Sequence, residues 1–136
     1  MAAARRQEIH ARPGVDVLYV GELDRLSARP WFLGFAYSEW ERGFADTLGP
    51  ARRREFLAGR FAAKEAVVKA LGHGFGRGIT PRQIEIGRLD DGGPVVRLSG
   101  RAAGHAAETG VGGLAVSIAH KNGLVIAVAL THPILE

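Results

Sequence analysis

The stretch "RFAAKEAVVKALG", residues 60–72, decides the fold. Its alanines, leucine, lysines and glutamate favour a helix, and Gly72 stands where a helix would end. Stepping from Leu57 at helical spacing puts Leu57, Phe61, Lys64, Val68 and Leu71 on one face. Four of these are apolar and the middle one carries a charge. Glu65 stands at the edge of the same stripe, and Lys69 lies one turn beyond it. A stripe that served only a core would not carry a lysine at its centre, so this helix is expected to line a site. Lys64 either snorkels past its apolar neighbours or meets a buried or bound anion, because an unpaired buried charge is costly.

Outward from this stretch, residues 50–72 read as the longest helix. Before it, "GVDVLYV" (14–20) alternates around β-branched residues and reads as a strand, with Asp16 on the face of Leu18 and Val20. Between them lie short helical pieces interrupted at Pro30, one of them capped by Ser38 with Glu41 as its capping-box partner. After the long helix comes a glycine-rich loop, "HGFGRGITP" (73–81). "QIEIGRL" and "PVVRLSG" flank "DDGG", and "LAVSIAH" and "GLVIAVAL" flank "KNG"; both read as hairpins. Residues 101–110 form a short helix between the two hairpins. Mixed helices with antiparallel hairpins predict an α+β fold, an antiparallel sheet with one long helix. No repeat or linker divides the chain, so residues 14–136 are expected to form one domain behind a basic arm, residues 1–13.

Composition narrows the function. A chain of 136 residues, 46% apolar, suits one packed core. There is no cysteine, which excludes disulfides and thiolate metal sites and suits a reducing cytoplasm. The first fourteen residues have no apolar run of the secretory type, and "GLVIAVAL" is too short to span a bilayer. The net charge is +4, and 15 arginines against 3 lysines supply most of the cations. Arginine suits bidentate pairing with phosphate or carboxylate, so anionic partners are expected: nucleic acid, a phosphorylated small molecule or an acidic protein.

The familiar motifs are missing. "GHGFGRG" has no strand leading into it and no GK[ST] after it, so it is not a P-loop. It also follows a helix C-terminus, where the dipole does not attract phosphate. HExxH and GxSxG are absent, and His10, His73, His105 and His132 have no ligand spacing. The arginine run 52–54 reads as a solvated charged turn. A nucleic-acid reader would show aromatic residues interleaved with basic ones on a sheet, which are not seen.

What remains is a constellation. Asp16 on a strand could be an edge residue satisfied by a backbone N–H, and Glu65 could be a solvated partner of Lys69. Together with Lys64 and Arg60 they suit something more specific. Two hard carboxylates ringed by cations fit Mg²⁺ holding a pyrophosphate, since magnesium takes one or two carboxylates and completes its shell with phosphate oxygens and water.

These residues also carry a family resemblance. "FLAGRFAAKEAVVKALGHG" (56–74) resembles the signature helix of the holo-acyl-carrier-protein synthases, the small 4′-phosphopantetheinyl transferases. "GVDV" resembles their first metal-binding segment and "VSIAH" (116–120) their "VSISH" strand, in the same order and similar spacing. The resemblance implies that fold, and transfer of 4′-phosphopantetheine from coenzyme A to a serine of an acyl carrier protein. It implies Mg²⁺ on Asp16 and Glu65, with Lys69 assisting at the phosphates. Arg60, Lys64, Gly72 and His120 would border the nucleotide, and Arg25, Arg29 and Phe61 would meet the acidic carrier protein. Glu65 would take the serine proton, directly or through a water. Members of this length are typically cytoplasmic homotrimers with active sites between subunits. Arg25 lies further from Asp16 than the family's first arginine usually does, Ala119 replaces a serine, and His73 sits where small or hydroxyl residues are common. These departures point to a specialised member. Two rivals remain: a non-catalytic domain that binds coenzyme A or carrier protein, and a small nucleic-acid-binding protein.

Overall fold

The computed structural model describes residues 11–134. Most of the basic arm expected at 1–13 lies outside the described residues. Its last residues are not an arm. Arg12 donates its N–H to the Thr131 hydroxyl at 2.9 Å, and its carbonyl accepts from the Thr131 N–H at 2.9 Å, so sheet-like pairing begins there.

Strand β1 (Pro13–Tyr19) leads into a 3₁₀ turn (Val20–Leu23) and three short helices: α1 (Asp24–Ser27), α2 (Pro30–Ala36) and α3 (Glu39–Asp46). The long helix α4 (Pro50–Ala70) follows, then a 3₁₀ turn (Pro81–Gln83). The chain ends with the hairpin β2 (Ile84–Arg88) and β3 (Pro94–Leu98), helix α5 (Gly100–Glu108), and the hairpin β4 (Val111–Lys121) and β5 (Leu124–Pro133). Among the described residues all strand pairings are antiparallel; β5 lies between β1 and β4, and β2 pairs only with β3. The α+β expectation holds.

Local chemistry explains the boundaries. The expected interruption at Pro30 is present: α1 ends at Ser27 and Pro30 opens α2, where its missing N–H costs nothing. Ser38 and Glu41 form the expected capping box of α3, with bonds of 3.2 Å and 2.7 Å. Helix α4 ends in a Schellman motif: the N–H of His73 reaches the Val68 carbonyl, that of Gly72 reaches Lys69, and Gly72 adopts φ +73°. The "KNG" turn is a two-residue type I′ turn, with Asn122 and Gly123 both at positive φ. The arginine run 52–54 is not a turn but the start of α4. There Arg54 clasps Asp24 of α1 through two bonds, at 2.9 Å and 2.7 Å.

The core lies between α4 and the three-stranded sheet. Ala58, Ala62, Ala66 and Ala70 of the helix meet Ala127 and Ala129 of β5, all buried. Small residues let the backbones approach closely. At Gly14 of β1 the approach is extreme: a Cβ there would overlap the Ala66 carbonyl oxygen and stand 2.7 Å from the Ala70 nitrogen. A second apolar cluster, with Phe32, Tyr37 and Leu57, joins α2 and α3 to the helix, and Phe61 packs against both clusters.

Lys64 departs from the expectation that it borders the nucleotide. Its side chain is fully buried, and its ammonium donates to Glu41 Oε1 (2.7 Å), the Pro81 carbonyl (3.0 Å) and the Ile84 carbonyl (2.6 Å). The anion that a buried lysine requires is an internal one. Glu41 is buried too, and its Oε2 accepts the N–H of Ile86 at 2.7 Å. Burial pulls the Lys64 ammonium down from its ordinary value, and Glu41 opposes that.

Replacing Gly14 by alanine is expected to destabilise the fold by about 1–3 kcal/mol, because the added methyl meets helix backbone rather than a movable side chain. Chemical denaturation of Gly14→Ala checks this; an unchanged midpoint would show that β1 does not press on α4 as described.

Candidate active site

Asp16 lies two residues from Gly14 on the same face of β1, so the close approach at Gly14 brings its carboxylate over the last turns of α4. Lys69 Nζ donates to Asp16 Oδ1 and to the Val15 carbonyl, both at 3.0 Å. Glu65, one turn before Lys69, faces the same place. Burial is the main force raising its pKa above the usual carboxylate range; the Asp16 charge adds to this and Lys69 opposes it. Two carboxylates that repel each other across a partly buried cleft are a place where a cation is stabilising. Among the described residues no group of three or more His, Cys, Asp and Glu could form a closed metal cage. The pair therefore fits a hard divalent ion that shares its shell with a ligand's oxygens, as Mg²⁺ does, and does not fit zinc.

The C-terminal end of α4 continues the cleft. Gly72 lies under the Arg12 guanidinium, where a Cβ would come within 2.9 Å of a guanidinium nitrogen. Beyond it Lys69, Gly72, His73 and Arg77 line an open depression of about 550 Å³. Its walls are cations and glycine backbone, which suit phosphate.

A second hollow, of about 280 Å³, lies further up the same helix between Phe44, Arg52, Phe56, Arg60, Arg88 and His120, with Glu55 as the one carboxylate in its lining. Gly59 forms part of its floor and lets β4 come close: a Cβ there would stand 3.1 Å from His120 Nε2. Arg60 lies over the Phe56 ring, 4.4 Å from its centre, and donates to the carbonyls of Ile86 (3.2 Å) and Gly87 (3.0 Å). Arg88 lies over Phe44 at 5.3 Å. Burial disfavours the Arg60 charge, Glu41 favours it and neighbouring Arg88 disfavours it. An anion in this hollow would offset the repulsion from Arg88 and stabilise the buried Arg60 charge. Along α4 the rise from Arg60 to Lys69 is about 13 Å. A ligand engaging both ends must be elongated and carry negative charge at each.

Of the residues expected from sequence, Asp16, Glu65 and Lys69 come together, and Arg60 and His120 share the hollow above. Gly72 borders the depression below. Arg25 and Arg29 are exposed, on α1 and just before α2, while Phe61 is partly buried against Phe32, its ring centre 5.9 Å away. Lys64 belongs to the core. Arg52, Arg88 and the two phenylalanines of the hollow were not expected. The spacing of Arg52, Phe56 and Arg60, four residues apart on one helix, was a signal available in the sequence.

Residues 12–129 match a protein family described as the 4′-phosphopantetheinyl transferase superfamily. A holo-[acyl-carrier-protein] synthase of Natranaerobius thermophilus is 38% identical over 119 residues, which cover 86% of this chain and 93% of that protein. One of Maridesulfovibrio salexigens is 48% identical over 75 residues, 55% of this chain and 60% of that protein. In structure, the chain resembles a holo-(acyl-carrier-protein) synthase of Bacillus anthracis, in complex with CoA (3′,5′-ADP). The TM-score is 0.76 at 28% identity, over 90% of this chain and 96% of that one. The chain belongs to the 4′-phosphopantetheinyl transferase superfamily and, within it, to the holo-[acyl-carrier-protein] synthase family.

In metal-free protein, replacing Glu65 with glutamine is expected to raise the melting temperature at neutral pH. A carboxylate whose folded pKa is raised weakens the fold once ionised, fully above that folded value, and this penalty vanishes below the unfolded value of about 4.3. The gain of Glu65→Gln should therefore shrink as pH falls toward 4. Thermal melts in EDTA across that range test this; a gain independent of pH would refute it.

Proposed function

We propose that this chain is a magnesium-dependent holo-[acyl-carrier-protein] synthase that moves 4′-phosphopantetheine from coenzyme A to a serine of an apo acyl carrier protein. The observation that carries this reading is the pairing of Asp16, Glu65 and Lys69 at one end of α4 with the arginine-lined hollow at the other. Coenzyme A is elongated, with a pyrophosphate in its middle and a 3′-phosphate at its nucleotide end, which suits the two sites.

Asp16 and Glu65 would hold the magnesium ion. Bound there, the ion would neutralise pyrophosphate charge and fix its geometry. Lys69, half exposed beside Asp16, is free to turn from that carboxylate to a phosphate oxygen. Arg60, with Arg52, Arg88 and His120, receives the nucleotide phosphate and orients the substrate. The serine oxygen then bonds to the phosphorus that carries pantetheine, and the bond from that phosphorus to the nucleotide's bridging oxygen breaks. Adenosine 3′,5′-bisphosphate departs with the electron pair. Glu65 accepts the serine proton directly or through a water. Positioning and charge neutralisation supply most of the rate in such a transfer.

Arg25 and Arg29 offer exposed cations to an acidic carrier protein, and Phe61 an apolar edge. The outer face of the three-stranded sheet carries Val15, Val17, Tyr19, Ile126, Val128 and Leu130, each 42% exposed or more. An apolar patch of that kind suits self-association, and a homotrimer with sites between subunits is the assembly proposed. No helix of the described residues is long and apolar enough to cross a membrane. The cytoplasm is the compartment proposed.

Incubation with coenzyme A, Mg²⁺ and an apo acyl carrier protein is expected to add one phosphopantetheine to the carrier protein, read by mass spectrometry. The gain should vanish with EDTA and in Glu65→Ala. Coenzyme A binding without any gain on several carrier proteins would favour the non-catalytic reading. For the assembly, Val17→Asp is expected to reduce the mass measured by light scattering to that of one chain; a wild-type monomer would refute the trimer.

A further inference from the structure

Among the described residues, the outer edge of β2 carries no neighbouring strand. Its polar groups are held instead by three side chains from α3 and α4. The carbonyl of Ile84 accepts from Lys64 at 2.6 Å, the N–H of Ile86 donates to Glu41 at 2.7 Å, and the carbonyl of Ile86 accepts from Arg60 at 3.2 Å. One residue, Ile86, is thus gripped on its N–H by a buried carboxylate and on its carbonyl by the arginine that enters the hollow. Glu41 is itself fixed by Lys64, at 2.7 Å, and by the N–H of Ser38, also at 2.7 Å. Nothing in this chain of contacts reaches the hollow except Arg60.

We propose that the buried Glu41–Lys64 pair is a positioning device for Arg60, setting the affinity of the hollow for the nucleotide phosphate of coenzyme A without touching it. This rests on the transferase reading above. Two of the five guanidinium N–H donors are spent on the Ile86 and Gly87 carbonyls, which leaves the others for a ligand. Where those carbonyls sit decides where the free donors sit. The carbonyls are fixed only as well as the strand edge that bears them, and the edge is fixed by the ion pair. A bidentate contact to phosphate tolerates little displacement, so a slackened edge weakens binding. A merely structural pair would alter stability and leave the affinity of the folded protein unchanged.

The test is a double-mutant cycle read by calorimetric titration of coenzyme A into folded protein. Glu41→Gln keeps the side-chain shape and removes the charge that holds Lys64 and Ile86. It is expected to weaken coenzyme A binding about tenfold, as misplacement of a binding group does. Arg60→Ala should weaken binding at least as much, and the double variant no more than Arg60→Ala alone. Wild-type affinity in Glu41→Gln, or losses that add in the double variant, would overturn the proposal. If Glu41→Gln does not fold, Glu41→Leu with Lys64→Met replaces the pair by apolar side chains, an exchange that folds tend to tolerate. It too leaves the Ile86 N–H without its carboxylate, so the same tenfold loss is expected, and wild-type affinity there would also overturn the proposal. Wild-type protein that binds no coenzyme A would overturn the transferase reading and this inference together.

Discussion

The structure depends on how closely α4 lies against the sheet. At Gly14 the strand and helix backbones touch with no side chain between them, and alanines line the rest of the seam. Such contact fixes depth and lateral position together, because backbone cannot move aside as a side chain can. Everything chemical is placed relative to that seam. Asp16 lies two residues beyond Gly14 and meets Lys69. Gly59 leaves room for side chains of β4 rather than for its backbone, and His120 comes to rest against the helix beside Arg60. The candidate cleft is the margin of a helix–sheet interface, and small residues set its width.

A different constraint governs the opposite side of the helix. There β2 is docked as an edge strand by a buried ion pair rather than by another strand. Breaking such a pair by removing one partner costs about 3–5 kcal/mol, because the remaining charge is stranded in the core. Forming it contributes much less. Its value lies in geometry: Lys64 and Glu41 accept only one placement of the strand's polar groups, and they cover an edge that would otherwise be open to association. Tyr37 lies beside them, its hydroxyl donating to the Leu57 carbonyl at 2.8 Å.

Lys64 marks the limit of what periodicity reveals. Helical spacing placed it correctly on the Leu57–Leu71 stripe, and that stripe is buried as its apolar members require. The step from a charge in an apolar stripe to a ligand-facing charge failed, because periodicity carries no information on a partner from another helix. Glu41 was legible as the capping residue of α3, but that role uses only part of its carboxylate. Its remaining acceptor capacity is what admits Lys64 and Ile86. Asp16, Glu65 and Lys69 were legible because their chemistry has few alternative uses together. Arg88 was not, since its place beside Arg60 depends on how the β2–β3 hairpin folds back along α4. The outline of the fold came from local signals: caps, turns and alternation. The hollow came from packing between elements far apart in sequence.

The position of the carboxylate pair carries a further electrostatic consequence. Asp16, Glu65 and Lys69 meet at the C-terminal end of a helix of 21 residues. The macrodipole there is negative. A phosphate arriving at this end gains nothing from the helix, unlike one bound at a helix N-terminus. Attraction must come from discrete charges. Lys69 in the last turn, Arg12 over Gly72 and Arg77 in the loop supply three, and the proposed magnesium ion on the two carboxylates would add a fourth. The proposed metal ion answers to where the helix ends: a site built on the wrong pole for phosphate must bring its positive charge with it.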